Sequence, residues 1–136
     1  MYESITIIGN IGNEPEMKYM PSGKAITNFS VATNQQWTDN NGQKVKKTTW
    51  WRVSVFGKSA EACNTYLGKG SKVLVIGRMN ADDNGGPRVW TDKSGTAKAS
   101  FEITAQEVKF LDSRTDAPQQ NAKPQVANLP DDDIPF

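Results

Sequence analysis

The stretch from Lys44 to Lys58, KVKKTTWWRVSVFGK, carries the strongest strand pattern of the chain. Side chains of a β-strand alternate between its two faces, so the stretch divides into two sets. Cations, aromatic rings and small polar groups share the first face: Lys44, Lys46, Thr48, Trp50, Arg52, Ser54, Phe56 and Lys58. The second face carries Val45, Lys47, Thr49, Trp51, Val53 and Val55. Because this second face is apolar from Trp51 to Val55, we expect it to be buried.

The first of these faces, called the aromatic-basic face below, contains no acidic residue. Rings exposed among cations favour a single-stranded nucleic acid as the partner, because bases stack on rings while phosphates meet the cations. In the alternative orientation Trp50 and Phe56 belong to the core and Trp51 is exposed. That orientation would also bury Arg52 and Lys58, and an unpaired charge is strongly disfavoured in a core. We therefore expect the aromatic-basic face to point outward.

The charge of the 136-residue chain is unevenly distributed, although its net charge is only +1. Residues 1–111 hold 14 Lys and Arg against 10 Asp and Glu, whereas residues 112–136 hold 2 against 5. A basic body with an acidic tail is typical of a polyanion-binding domain that carries a separate interaction segment.

The composition argues against an enzyme. The chain has no histidine, which excludes imidazole general bases and most zinc sites. Cys63 is the single cysteine, which fits a reducing cytosol, and we expect it to be a buried side chain. Gly57-Lys58-Ser59 resembles the end of a phosphate-binding loop, but Arg52 occupies the place of the required first glycine. We expect no catalytic residue, no metal and no cofactor.

Five strands are expected, at residues 2–8, 25–34, 44–58, 72–79 and 98–111, with one helix at residues 59–67. Ser59 is the predicted N-cap of this helix and Gly68 its end. A bend is predicted at Gly9–Gly12, and a bulge near Gln106–Glu107. This order predicts an all-β fold, the OB-fold, a five-stranded Greek-key barrel with one short helix, in which the outer face and loops bind oligonucleotides.

The chain divides into three predicted parts. Residues 1–111 form the OB-fold domain, and residues 112–130 form a disordered linker rich in Gln, Asn, Ala and Pro. Residues 131–136 form an acidic tip with an apolar end: Asp131, Asp132, Asp133, Ile134, Pro135 and Phe136. The carboxylates would steer the tip to a basic pocket on a partner, where the apolar end would anchor. The alternative is a solvated acidic tail that only aids solubility.

Six short motifs, in this order, resemble the bacterial-type single-stranded DNA-binding proteins of bacteria, plasmids and phages. The motifs are Ile8-Gly9-Asn10-Ile11-Gly12, Glu16-Met17-Lys18-Tyr19-Met20-Pro21-x-Gly23, Trp50-x-Arg52-Val53 running to Phe56-Gly57-Lys58, Tyr66-Leu67-x-Lys69-Gly70-Ser71, Trp90-Thr91-Asp92-x-Ser94-Gly95, and the terminal DDDIPF. Together they span nearly the whole chain outside the predicted linker. The segment Ala81–Pro87 departs from the family pattern because it is longer than is typical.

The resemblance implies a set of site residues. Base stacking is assigned to Trp37, Trp50, Phe56 and Trp90. The phosphate path is assigned to Lys18, Arg52, Lys58, Lys69 and Arg88, to which the aromatic-basic face adds Lys44 and Lys46. The resemblance also implies a cytoplasmic, nucleoid-associated homotetramer that binds single-stranded DNA without sequence preference. Its C-terminal tip would recruit replication, recombination and repair proteins.

The sequence leaves three alternatives open. An OB-fold adaptor of the primosome type could use the same aromatic-basic face to bind protein instead of DNA. Trp51 belongs by its position either to the core or to a subunit contact, and the two-sided apolar strand Lys72–Met79 would suit such a contact. Trp37 precedes the turn signal Asp39–Gly42, where exposure is favoured over a core position.

Overall fold

The structure is a computed structural model that describes residues 1–112. This part of the chain forms eight strands and one helix, in the following order. The elements are β1 (Ile5–Ile11), β2 (Glu16–Tyr19), β3 (Ala25–Thr38), β4 (Lys44–Phe56), α1 (Lys58–Tyr66), β5 (Lys72–Met79), β6 (Val89–Thr91), β7 (Ala97–Ala99) and β8 (Phe101–Phe110).

Five of the strands close into a barrel. Their order is β1-β5-β8-β4-β3, and a second pairing of β3 with β1 completes the circle. The β4–β8 pair is parallel, and the other pairs are antiparallel. Strand β2 adds to β3 beside β1, while β6 and β7 form a separate hairpin. The predicted OB-fold, a five-stranded barrel with one short helix between its third and fourth strands, is confirmed.

The core lies inside the barrel, where alternate residues of each strand point. On β3 the buried residues are Ala25, Thr27, Phe29 and Val31. Helix α1 covers one end of the barrel through Ala60 and Cys63. The hydroxyl of Thr27 donates a hydrogen bond to the carbonyl of Ala60 at 2.7 Å, so the buried polar group is satisfied.

Strand β1 differs from the expectation, because it begins at Ile5 and continues through the predicted bend to Ile11. Asn10 and Ile11 pair with Ala32 and Val31 of β3, and this pairing closes the barrel. A Cβ at Gly9 would lie 2.9 Å from Cγ1 of Val31 and nearer still to the carbonyl oxygen of Ala32. Gly9 therefore serves the close approach of two strands, and the predicted bend at this position is wrong.

Helix α1 begins one residue earlier than predicted, and Ser59 is not its cap. Gly57 occupies the N-cap position, and no side chain among residues 1–112 caps the helix. The backbone N–H of Ala60 donates to the carbonyl of Gly57 at 3.0 Å, which draws Lys58 into the first turn. The helix ends at Tyr66, and the extended backbone of Leu67 stops it before Gly68. Capping patterns place a helix end only to within one or two residues.

Strand β8 contains the predicted bulge. Ile76 of β5 faces Glu107, whereas the next residue, Gly77, faces Ala105, so Gln106 is the extra residue. The strand is shorter than expected at its start, because Ala97–Ala99 belongs to the β6–β7 hairpin. The turn at Asp92–Gly95 forms the tip of this hairpin.

Two sequence expectations fall wholly or mostly outside the residues that the structure describes. The predicted linker at residues 112–130 lies outside the described residues except for Asp112, and the predicted tip at residues 131–136 lies outside them entirely. Within residues 1–112, no helix has the length and apolar character that a membrane crossing requires.

Candidate nucleic-acid interface

A groove of about 830 Å³ runs along the outer face of β3 and β4. Trp50 and Arg52 of β4 line it, together with the loop after β1 and residues of β8. The side chain of Trp50 is 53% exposed, whereas Val53 and Val55 of the same strand are 1% and 2% exposed. The aromatic-basic face therefore points outward at this position, and the alternative that places Trp50 in the core is wrong.

Short side chains surround the exposed ring. On β3, Ala32 lies opposite Trp50 and Ser30 lies opposite Arg52. Hydrogen bonds hold the loop after β1 against β3. The backbone N–H and the hydroxyl of Ser30 both donate to Oδ1 of Asn13 in this loop, at 2.9 Å and 2.7 Å. Side chains this short leave the ring of Trp50 open to a flat ligand.

Both signs of charge line the groove: Lys47, Arg52, Arg88, Glu16 and Glu102. Arg88 is paired, since its Nε and Nη2 donate to Oε2 of Glu102 at 3.0 Å and 2.7 Å. This hydrogen bonding and the charge of Glu102 raise the pKa of Arg88 above its ordinary value. Arg52 makes no ion pair within residues 1–112. Its guanidinium is thus available to an external anion beside an exposed indole ring.

Comparison of the chain with models of protein families identifies the family to which it belongs. The model of the single-strand binding protein family matches residues 2–111, which include every described strand. The chain belongs to this family. It is a non-catalytic, DNA-binding family, and the match covers the groove and the β6–β7 hairpin together.

Individual relatives agree with the family assignment. The chain is 38% identical over 112 residues to the single-stranded DNA-binding proteins of two Neisseria meningitidis strains, one of serogroup A and one of serogroup B. The alignment covers 82% of this chain but only 61% of each relative, so the chain spans about three fifths of their length.

Solved structures of the family share the fold. The chain is similar to the Plasmodium falciparum single-strand binding protein, solved as a complex with single-stranded DNA, with 30% identity and a TM-score of 0.67. That match covers 82% of this chain and 97% of the other. A deletion variant of the Thermus aquaticus single-stranded DNA-binding protein matches with 28% identity and a TM-score of 0.64, over 82% of this chain and 51% of that one.

Phe56, another predicted family stacking residue, shares the face of Trp50 but lies farther along β4. It pairs with Ile26 of β3, which in turn pairs with Lys18 of β2. Ser54 lies between Phe56 and Arg52 on the same face of β4, and its hydroxyl donates to Oδ1 of Asn28 at 2.6 Å. Phe56 is half-buried and Lys18 is exposed, so a ring and a cation share this end of the face on either side of Ile26.

Trp37 is exposed, as expected, but the structure does not bring it to the groove. It lies opposite Val45 near the tip of the β3–β4 hairpin. By strand register its side chain leaves the hairpin on the face shared by Trp51 and Val53, opposite to that of Trp50. Trp37 is 46% exposed because this part of the hairpin carries no β1, β2 or β8 pairing.

Trp90 lies on β6, opposite Lys98 of β7, and is half-buried. Its indole N–H is enclosed, and no residue among 1–112 accepts a hydrogen bond from it. The hairpin that carries Trp90 is stiffened at its turn, where the backbone N–H groups of Ser94 and Thr96 both donate to Asp92 at 2.9 Å. The Ser94 hydroxyl and these backbone groups lower the pKa of Asp92.

The remaining predicted phosphate residues lie around the groove but not in its lining. Lys44 and Lys46 are exposed toward the tip of the β3–β4 hairpin, and Lys58 is exposed at the start of α1. Lys69 is exposed in the turn before β5, where its backbone N–H donates to Glu14 at 3.1 Å. These cations lie around the groove, but their positions do not define a single path for the phosphates of a bound strand.

The groove residues that the sequence did not indicate as site residues include Phe101 and Lys47. Phe101, at the start of β8, is 51% exposed, and its ring centroid lies 5.2 Å from that of Trp51. Its strand position matches that of the buried Ile103, so alternation predicts burial and offers no signal for exposure. Lys47 also lines the groove, although the sequence places it on the second face of β4. The six-motif resemblance did not mark either residue.

Trp51 packs against the core, which is one of the two positions that the sequence leaves open for it. It is half-buried, and its indole N–H donates to the hydroxyl of Thr33 at 3.0 Å. Burial of Cys63 is also as predicted, since its side chain is 1% exposed and burial raises its pKa to about 11.

Proposed function

We propose that this protein binds single-stranded DNA without sequence preference, by stacking bases on Trp50 and holding phosphates at Arg52. The supporting observation is that an exposed indole ring and an arginine without an ion pair in the described chain share the outer face of a family barrel. Stacking contributes about 1–3 kcal/mol per base and accepts every base, because every base has a π-face. Duplex DNA hides these faces, so the stacking free energy favours single strands.

Further contacts extend this site along the barrel. Phe56, Trp37 and Trp90 are proposed as additional stacking positions, and Lys18, Lys44, Lys46, Lys58, Lys69 and Arg88 as additional phosphate contacts. The β3–β4 and β6–β7 hairpins support this extension, because each contributes residues to the groove. A strand leaving the groove would meet Trp90 on the β6–β7 hairpin, and it would have to wrap around the β3–β4 hairpin to meet Trp37 on the face opposite Trp50.

We also propose that the protein assembles as a homotetramer. The outer face of the β1–β5 pair carries Ile8, which is 52% exposed, directly opposite Leu74, which is half-buried. Ile76 lies on the same face of β5. An apolar sheet face of this kind favours contact with another copy, and sedimentation with and without oligo-dT would measure the number of subunits.

The cellular role follows from the proposed activity. Protection of single strands serves DNA replication, recombination and repair in the cytoplasm, at the nucleoid. The division into an OB-fold domain, a linker and a partner-binding tip at residues 131–136 is part of the proposal. We propose that the protein acts by binding alone, without an enzymatic activity and without a cofactor.

Tryptophan fluorescence tests the proposal directly. Titration of the full chain with an unstructured oligo-dT is expected to quench the fluorescence strongly and in a salt-sensitive manner, because the bases stack on exposed indoles. A duplex of the same length is the control and should quench far less. Unchanged fluorescence with the single strand would contradict DNA binding and favour the protein-binding adaptor.

A further inference from the structure

An ion pair crosses the wall of the groove. Arg88, just before β6, donates from Nε and Nη2 to a single carboxylate oxygen of Glu102 on β8, at 3.0 Å and 2.7 Å. Both residues line the groove. The Glu102 side chain is 17% exposed, and that of Arg88 is 49% exposed, so the carboxylate is the more enclosed partner.

Glu102 is also a neighbour of the other groove arginine. In the parallel pairing of β4 with β8, its direct partner is Arg52. A carboxylate therefore lies on the outer sheet surface between two arginines that the proposed function assigns to phosphates. This is unexpected for a polyanion site, because a negative charge in the groove repels the ligand.

The geometry leaves part of Arg88 free. A guanidinium has five N–H donors in a planar fork, and the bonds to Glu102 use Nε and Nη2. The Nη1 edge can still meet a phosphate. The positive charge, however, is already balanced by Glu102, so a phosphate that adds to the intact pair releases little counterion. Because the Arg88 side chain is half exposed, water weakens this ion pair, so a phosphate can also displace the carboxylate.

We infer that Glu102 limits the affinity for single-stranded DNA, because its carboxylate occupies the place of a phosphate at Arg88 and the DNA must compete with it. This inference rests on the proposed function. Glu102 thus affects the salt dependence of DNA binding through Arg88 and does not itself contact the nucleic acid.

The substitution Glu102→Gln removes the competing charge and keeps the size of the side chain. Glu107→Gln is the matched control: Glu107 lies on the same strand, forms an ion pair with Lys109 at 2.8 Å and does not line the groove. Both variants change the net charge equally. The full chain of each is titrated with oligo-dT over a range of salt concentrations, and thermal unfolding verifies that each is folded.

With Glu102→Gln, the plot of log affinity against log salt should steepen by about 0.7, the value for one additional phosphate on a single strand. Between 1 M and 0.1 M salt this corresponds to about a fivefold additional gain in affinity. Glu107→Gln should leave the slope at its original value. The double variant Arg88→Gln/Glu102→Gln should return the slope to the original value, because Arg88 is then absent.

Other results would overturn the inference. A weaker affinity for Glu102→Gln with an unchanged slope would mean that the carboxylate only orients Arg88 for its phosphate. Equal effects of Glu102→Gln and Glu107→Gln would mean a response to net charge alone. If the unsubstituted chain fails to bind oligo-dT, the proposed function itself fails, which is a different outcome from normal binding with no response to Glu102→Gln.

Discussion

Gly12 lies directly against the indole ring of Trp50. A Cβ at Gly12 would lie 2.7 Å from Cη2 of the ring and nearer still to Cζ3, which is closer than real Cβ atoms approach their neighbours. The same Cβ would meet the hydroxyl oxygen of Ser30 at 3.4 Å. The loop after β1 therefore sets the position of the ring that we propose as the main stacking surface, and position 12 tolerates no side chain without a shift of that ring.

Gly12→Ala is expected to displace the Trp50 ring and weaken oligo-dT binding by up to the stacking increment of about 1–3 kcal/mol. The fold should survive, because Trp50 is exposed and its ring can move outward. Gly68→Ala is the control, since its Cβ would meet the Glu14 carboxylate at an ordinary 3.6 Å. Equal affinities for the two variants, measured by fluorescence titration, would show that the contact does not position the ring.

Trp50→Ala and Val53→Ala should have opposite consequences, although they lie three residues apart on one strand. Loss of the exposed Trp50 ring should lower oligo-dT affinity by about 1–3 kcal/mol with little change in the free energy of unfolding. Loss of buried Val53 should lower the free energy of unfolding by about 1–3 kcal/mol and spare the affinity of the folded protein. Denaturant unfolding and titration of both variants separate the two effects. A Trp50→Ala protein that unfolds while the folded fraction keeps its affinity and salt slope would contradict the proposed role.

Alkaline pH should destabilise the protein through Cys63. Burial raises the thiol pKa from 9.0 to about 11, so between these values the unfolded chain loses a proton that the folded chain keeps. The contribution of Cys63 to the free energy of unfolding is full below pH 9 and falls by about 1.4 kcal/mol per pH unit up to pH 11. The difference in unfolding free energy between the original protein and Cys63→Ala should therefore shrink over this range. A constant difference would mean that the thiol ionises equally in both states.

Removal of residues 134–136 should separate the two proposed activities of the chain. Oligo-dT affinity should remain intact, because the groove lies within residues 1–112. Retention of replication, recombination and repair enzymes on a column of the immobilised protein should be lost with the apolar anchor of the tip. Removal of residues 118–120, within the predicted linker, is the control and should preserve retention. Equal retention by both deletion variants would leave the tip with a role in solubility only.

Several features followed from the sequence because each depends on the solvation of single side chains. Trp50 and Arg52 point outward while Val53 and Val55 are buried, since the opposite orientation would place a guanidinium in the core. The bulge at Gln106 was likewise visible, because it interrupts the alternation of apolar residues along β8.

Local patterns failed where a distant strand decides the outcome. Gly9 and its neighbours suggested a bend, but pairing with β3 keeps them extended. Phe101 has the strand position of a core residue, yet it lies at the edge of the barrel, where its ring contacts Trp51 and remains half exposed. The ion pair of Arg88 with Glu102 joins residues 14 positions apart on different elements, and no spacing in the sequence indicates it.

The amino-acid sequence by itself determined the outward aromatic-basic face, the strand order of an OB-fold and the membership of a DNA-binding family. Alternation and motif order contain that information, because burial selects apolar side chains residue by residue. Only the tertiary structure decided that Trp37 leaves its hairpin on the face opposite Trp50 and that Glu102 neutralises Arg88. Register and barrel closure bring these residues to their positions, and both are properties of strand pairs that no single strand specifies.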